Sequence, residues 1–121
     1  MASTFGQAAS DFEGFDPRPA HEFLYDACAA APGEITLVAI GPLTNIATAL
    51  EAHPNMPELA KGLVIMGGAV LGELRGNRTP AAEANFAHDP EAAQAVLTAG
   101  FQDVVVADLG VCVCVCVCAC P

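Results

Sequence analysis

The chain reads as an α/β protein with a partial, doubly wound, mainly parallel sheet of about three strands and flanking helices. Three observations predict this. Short apolar runs rich in β-branched residues fall at 35–40, 63–66 and 104–107, stretches with helical apolar spacing lie between them, and Gly or Pro stands where one pattern gives way to the other. Strands separated by helices of this length need crossover connections, which make them parallel.

Residues 1–18 mix Ser, Gly, Asp and Pro without periodicity and predict an irregular lead-in. From Pro19 the apolar residues Ala20, Phe23, Leu24, Ala27, Cys28 and Ala31 recur as one helical stripe, which Pro32-Gly33 stops. Residues 35–40 are nearly continuously apolar and suit a parallel strand buried on both faces. Gly41 turns the chain, and Pro42 fits a first helical position. Leu43, Ile46, Ala47 and Leu50 mark the buried face of a second helix, ended by Pro54 and Pro57. A helical turn over 58–61 closes on Gly62 before the strand at 63–66. Asp89-Pro90-Glu91 starts a further helix with a side-chain cap, a first-turn proline and an acid that suits the helix dipole, and Ala93, Val96 and Leu97 form its stripe up to Gly100. Cys28 reads as a buried helix residue. His53 and His88 have no partner at ligand spacing and read as surface or loop residues.

With 121 residues, 54% of them hydrophobic, the chain can form one domain, or part of one, with a real core. Fourteen acidic residues against four basic ones give a net charge of −10, and Arg18, Lys61, Arg75 and Arg78 form no patch, which argues against nucleic acid as a partner. The same shortage of cations, without a glycine-rich loop ending in Lys-Ser or Lys-Thr, favours an uncharged ligand over a phosphorylated one. The opening MASTFGQAASDFEGFDPRP has no basic segment followed by an apolar core, and its acids argue against a transit peptide, so a cytoplasmic setting is expected. The apolar run at 109–119 is far short of the roughly 20 residues that a spanning helix needs, so no membrane segment is expected.

The tail VCVCVCVCACP would, if extended, project Cys112, Cys114, Cys116, Cys118 and Cys120 from one face, a row of thiols suited to soft metals. It is also what a GT dinucleotide repeat yields on translation, alternating Val and Cys codons. Low-complexity sequence is the preferred reading, and a thiol-rich metal-binding protein is the weaker alternative. The five thiols fit no evident disulfide framework.

Polar chemistry concentrates in 64–89, where Asn77, Glu83 and Asn85 follow an apolar strand. A carboxylate accepts hydrogen bonds and an amide both donates and accepts, so an acid between two amides can satisfy a polyol. If 81–85 is extended, the period of two turns Glu83 and Asn85 to the same side. Ligands of parallel sheets bind beyond the carboxyl ends of strands, where Ile40-Gly41, Met66-Gly67-Gly68 and Asp108 are expected. Plainer roles stand beside these. Asn77 next to Gly76 suits a turn, Glu83 a solvated loop acid, Asn85 a cap for the turn before Asp89, and Met66 a core position, while Asp89 itself reads as a helix cap and not a catalyst.

Three ordered motifs, EITLVAIGPLTNIATAL from Glu34, LVIMGGAV from Leu63 and GNRTPAAEANFAHDPEAAQAVLTAGF from Gly76, resemble the middle of an inosine/uridine-preferring nucleoside hydrolase. The resemblance runs over about 19–109 and implies a partial, Rossmann-like domain at 19–110, with 1–18 as lead-in and 111–121 as tail. It implies cleavage of the N-glycosidic bond of ribonucleosides by a water held on a calcium ion, and homo-oligomeric assembly as in the family. By motif, Asn77 and Glu83 resemble the residues that hold the ribose 5′-hydroxyl and Asn85 the one on the 3′ side. Met66 resembles the methionine lining the sugar pocket, and Ile40 matches the position whose main-chain carbonyl ligates calcium. The family's aspartate-rich strand end and its late aspartate have no counterpart, since Asp11 and Asp16 follow no apolar strand. Calcium takes about six to eight oxygens. No catalytic residue is assigned, and the chain by itself is expected to be catalytically silent. A noncatalytic nucleoside-binding or subunit-interaction fragment is the alternative.

Overall fold

The computed structural model describes residues 16–69 and 76–111. The lead-in at 1–15, the stretch 70–75 and the Val-Cys run at 112–121 lie outside the described residues. In order the elements are α1 (Ala20–Ala30), β1 (Thr36–Ala39), α2 (Thr44–Ala52), α3 (Met56–Leu59), β2 (Gly62–Met66), α4 (Ala84–His88), α5 (Pro90–Leu97) and β3 (Val104–Ala107). The strands form one open parallel sheet in the order β1-β2-β3, the α/β arrangement that the alternating patterns predict.

Register sorts the strand residues between two faces. Leu37 pairs with Leu63 and Leu63 with Val104, while the next row joins Val38, Val64 and Val105. Successive side chains point to opposite faces. Leu37, Leu63 and Ile65 accordingly share a core with Cys28 of α1, Ile46 and Ala49 of α2, Met56 of α3 and Ala92, Ala93 and Val96 of α5. Burying a side chain the size of leucine or isoleucine contributes about 1.5–3 kcal/mol, so Leu63 and Ile65 on the central strand are principal anchors. The other row does not meet the expectation of a strand buried on both faces, for Val38 is 65% exposed and Val105 58%. The helical residues of the core all meet the Leu37–Leu63–Ile65 face, and among the described residues no comparable layer covers the second.

Several elements shift from their expected bounds for local reasons. In α1 the stripe rotates: Cys28 is buried and Leu24 and Tyr25 pack on the core, but Phe23 is 46% exposed beneath the Arg18 guanidinium, 5.1 Å from the ring centroid. Helix α2 starts at Thr44, after Pro42. Its C-cap His53 is no isolated loop residue, since its ring stacks on Tyr25 of α1 at 3.7 Å and its Nε2 lies 3.3 Å from a Glu22 carboxylate oxygen. Pro57 opens the first turn of α3 instead of merely ending α2, and the turn lies at Met56–Leu59, ahead of the expected 58–61. Gly62 then belongs to β2.

Asp89 performs the capping role expected of it and a second one. Oδ1 accepts the Ala92 N–H at 3.0 Å, and Oδ2 accepts the Thr44 hydroxyl, which ties α5 to the start of α2. The Thr44 hydroxyl, then the Ala92 N–H, hold the Asp89 carboxyl below the usual carboxylate range. Hydrogen bonds from Arg18 hold Asp16 down to about 2 from 3.8. A carboxyl whose folded value is depressed adds stability that is present above its unfolded value and is lost as pH falls through the folded one. Stability is therefore expected to fall as pH drops from about 4 towards 2, and Asp89→Asn to flatten that slope, as read by circular dichroism across an acid titration. An identical acid slope in the variant would count against the Asp89 contribution.

Candidate functional site

The central strand β2 delivers Met66, Gly67 and Gly68 to the carboxyl edge of the sheet. Ala39 pairs with Ile65 and Met66 with Ala107, so Ile40 stands level with Met66 on one side and Asp108 follows at the end of β3 on the other. The Gly67 N–H donates to the Ala107 carbonyl at 3.2 Å and the Leu109 N–H to the Gly68 carbonyl at 3.0 Å, which fixes this exit. Both glycines are required. A Cβ on Gly67 would lie 2.4 Å from the Phe86 ring, and Gly68 has a φ of 83°.

The extended reading of 81–85 does not hold, because Ala84 begins helix α4 and Glu83 is its N-cap, with φ −83° and ψ 149°. The reason is a competition for the first N–H groups of the helix, which have no intrahelical acceptor. Asn77 Oδ1 accepts the Ala84 N–H at 2.8 Å, Glu83 Oε1 the Asn85 N–H at 2.8 Å and Glu83 Oε2 the Phe86 N–H at 3.2 Å. Glu83 Oε2 also accepts the Gly68 N–H at 3.0 Å, which binds the helix start to the strand end. Glu83 is no solvated loop acid, being 2% exposed.

Asn85 faces the same strand end. Its Nδ2 donates to the Met66 carbonyl at 3.0 Å and lies 3.2 Å from the Met66 sulfur. It does not cap the turn before Asp89, since that residue caps α5 itself. Asn77, Glu83, Asn85 and Met66 thus form one connected set across the loop, although a helix cap and not strand alternation brings them together. Ile40 stands at the adjacent strand end, 80% exposed, and none of these hydrogen bonds reaches it. Asp108 is 5% exposed and its Oδ1 accepts the Val111 N–H at 3.0 Å, which turns the chain after β3.

Two features escape sequence reasoning. Phe86 packs its ring over Gly67, a contact signalled only by a paired glycine and an aromatic far apart in the chain, and the Glu83–Gly68 bond has no signature at all. For a metal, the fit is poor. Among the described residues no three His, Cys, Asp or Glu side chains converge in a way that could hold an ion, and a single carbonyl at Ile40 falls well short of the roughly six to eight oxygens calcium takes.

A sequence profile for inosine-uridine preferring nucleoside hydrolases matches residues 4–119, past both ends of the motif-bearing stretch. The chain is 46% identical over 92 residues to a probable uridine nucleosidase 2 of Oryza sativa subsp. japonica, covering 76% of this chain and 26% of that protein. It is 49% identical over 88 residues to the non-specific ribonucleoside hydrolase RihC of Escherichia coli (strain SMS-3-5 / SECEC), covering 73% of this chain and 28% of that one. Among solved structures it superposes on the plant nucleoside hydrolase PpNRh1 with a TM-score of 0.70 and 37% identity, over 84% of this chain and 33% of the other. The chain therefore spans about a quarter to a third of the length of these relatives.

Proposed function

The chain belongs to the inosine-uridine preferring nucleoside hydrolase family, and from that premise we propose that its described residues form the ribose-holding wall of a site for hydrolysing the N-glycosidic bond of ribonucleosides. The observation that carries this is the linked set of Asn77, Glu83, Asn85 and Met66 at the carboxyl end of the central strand. In this reading Asn77 and Glu83 hold the 5′-hydroxyl, Asn85 holds the 3′ side and Met66 lines the sugar. A hydroxyl both donates and accepts, and these side chains offer both complements. The substrate is a small, uncharged ribonucleoside, consistent with a chain of net charge −10. The reaction releases the free base and ribose.

Calcium is the metal implied by the family motifs, with the Ile40 carbonyl as one oxygen. The described residues do not complete such a site, and no step of the reaction is assigned to them. In this reading the chain by itself holds the sugar without turning it over. A cytoplasmic setting and assembly with like subunits belong to the same reading. Among the described residues no helix is long and apolar enough to cross a membrane.

Thermal melting of the purified chain with uridine, inosine or ribose, beside an assay for released base with calcium present, tests both parts. Ligand at a hundred times its Kd stabilises by about 2.7 kcal/mol, a rise of several degrees. An unmoved melting temperature would remove the sugar-holding assignment, and substantial base release would overturn the silence.

A further inference from the structure

We propose that the solvent side of the α2–α5 helix pair is a docking groove for an amphipathic helix that carries lysine or arginine. The two helices run the same way. Their starts are tied by the Thr44 hydroxyl and Asp89, and their ends meet around Pro54 and Ala99. Ile46 and Ala49 of α2 and Ala92, Ala93 and Val96 of α5 face the core. On the solvent side two hollows adjoin, sharing Ala47, Glu51 and Ala95. The one at the helix ends has about 280 Å³ and includes Leu50, Pro54 and Ala99. The one at the helix starts has about 220 Å³ and includes Thr48 and Glu91. Alanine at 47, 95 and 99 leaves the seam without the side chains that would fill it, so a third helix can lay a ridge there. Each hollow is smaller than the roughly 300–1,000 Å³ that encloses a small-molecule ligand, which suits side chains projecting from a partner instead of a whole ligand.

Charge selects the occupant. Glu51, Asp89 and Glu91 line the groove, with no Lys, Arg or His beside them. Asp89 is taken up by Thr44 and Ala92, whereas Glu51 and Glu91 are exposed and enter none of the ion pairs among the described residues. Glu51 stands in the last turn of α2, where the helix dipole is negative and no basic residue offsets it. A cation beside Glu51 relieves that like-charge conflict, while the methylene stem of its lysine or arginine covers Leu50, Pro54 and the alanines. Glu91 lies in the first turn of α5, so the two acids are separated by about six residues of helical rise, roughly 9 Å. Cations about two turns apart on one partner helix meet both. A second copy of this chain is a poor occupant, since it carries the same net charge of −10 and its Arg18 is already held by Asp16 and Asp26.

Fluorescence anisotropy on the full chain at low concentration tests this, with a synthetic alanine-rich helix of about 18 residues that bears a leucine stripe and two lysines two turns apart. The helix is expected to bind the parent, and the pair Glu51→Lys with Glu91→Lys to weaken it about tenfold or more. A matching helix with glutamates for lysines is expected to bind that double variant and not the parent. The pair Glu34→Lys with Glu58→Lys makes the same change in net charge outside the groove, and in about 0.15 M salt is expected to leave the affinity within about twofold. Ala95→Phe fills the seam from an exposed position and is expected to cost about tenfold as well. Circular dichroism melting checks that each variant folds, and the charge exchange decides alone if Ala95→Phe does not. No binding to the parent, equal losses in the two charge-reversed pairs, or a folded Ala95→Phe that binds like the parent would each overturn the groove. None of these results touches the ribose-holding assignment, because Asn77, Glu83, Asn85 and Met66 do not line it.

Discussion

Replacing Glu83 by alanine is expected to remove about 3–5 kcal/mol of stability, enough to unfold a domain of ordinary stability or leave it marginal. The carboxylate is 2% exposed and accepts three main-chain N–H groups, so its loss strands donors at both the strand end and the helix start. It also leaves a cavity between Gly68 and α4. Glu83→Gln should fall between, at about 1–2 kcal/mol, because its amide keeps one oxygen for an N–H but opposes another with an N–H of its own. Urea unfolding at constant slope reads the difference directly. A midpoint for the alanine variant within error of the parent would mean that Glu83 does not hold this loop.

Self-association of the parent chain is the second large expected effect. Val38, Val105 and Ile40 are 65%, 58% and 80% exposed, and β1 and β3 are the two edges of the three-stranded sheet among the described residues. An open apolar face flanked by unpaired strand edges invites pairing with other chains. The chain is expected to sediment as assemblies that grow with concentration. Exchanging Val38 and Val105 for threonine keeps β propensity while removing about 1 kcal/mol of apolar driving force at each site, so the concentration of half-association should rise about tenfold or more. A parent chain that stays monomeric and melts cooperatively at high concentration would contradict this.

The parts of the fold that were legible are those whose causes are local. Strand β3 is a run of valines bounded by Asp103 and Asp108, and α5 announces itself through Asp89 and Pro90, so short-range chemistry suffices for both. The single-faced burial of Val38 was not legible, because the same β-branched run serves whether or not a second layer covers it. Helix α4 was hidden for a different reason. Five residues are too few to separate a period of two from one of 3.6, and glutamate is not among the preferred N-cap residues. The candidate set of Asn77, Glu83, Asn85 and Met66 was named by residue type and motif. That Glu83 grips Gly68 depends on two segments meeting in space, which no spacing along the chain encodes. His53 is similar, since its partner Tyr25 lies on another helix.

Cys28 offers a way to watch this layer move. It is fully enclosed between α1 and the rest of the core, and burial pushes its thiol up, so an alkylating reagent meets neither an accessible nor an ionised sulfur in the closed state. Its rate of modification therefore acts as a clock for the lifting of α1, and peptide mapping separates that signal from the cysteines at 112–120 without a single substitution.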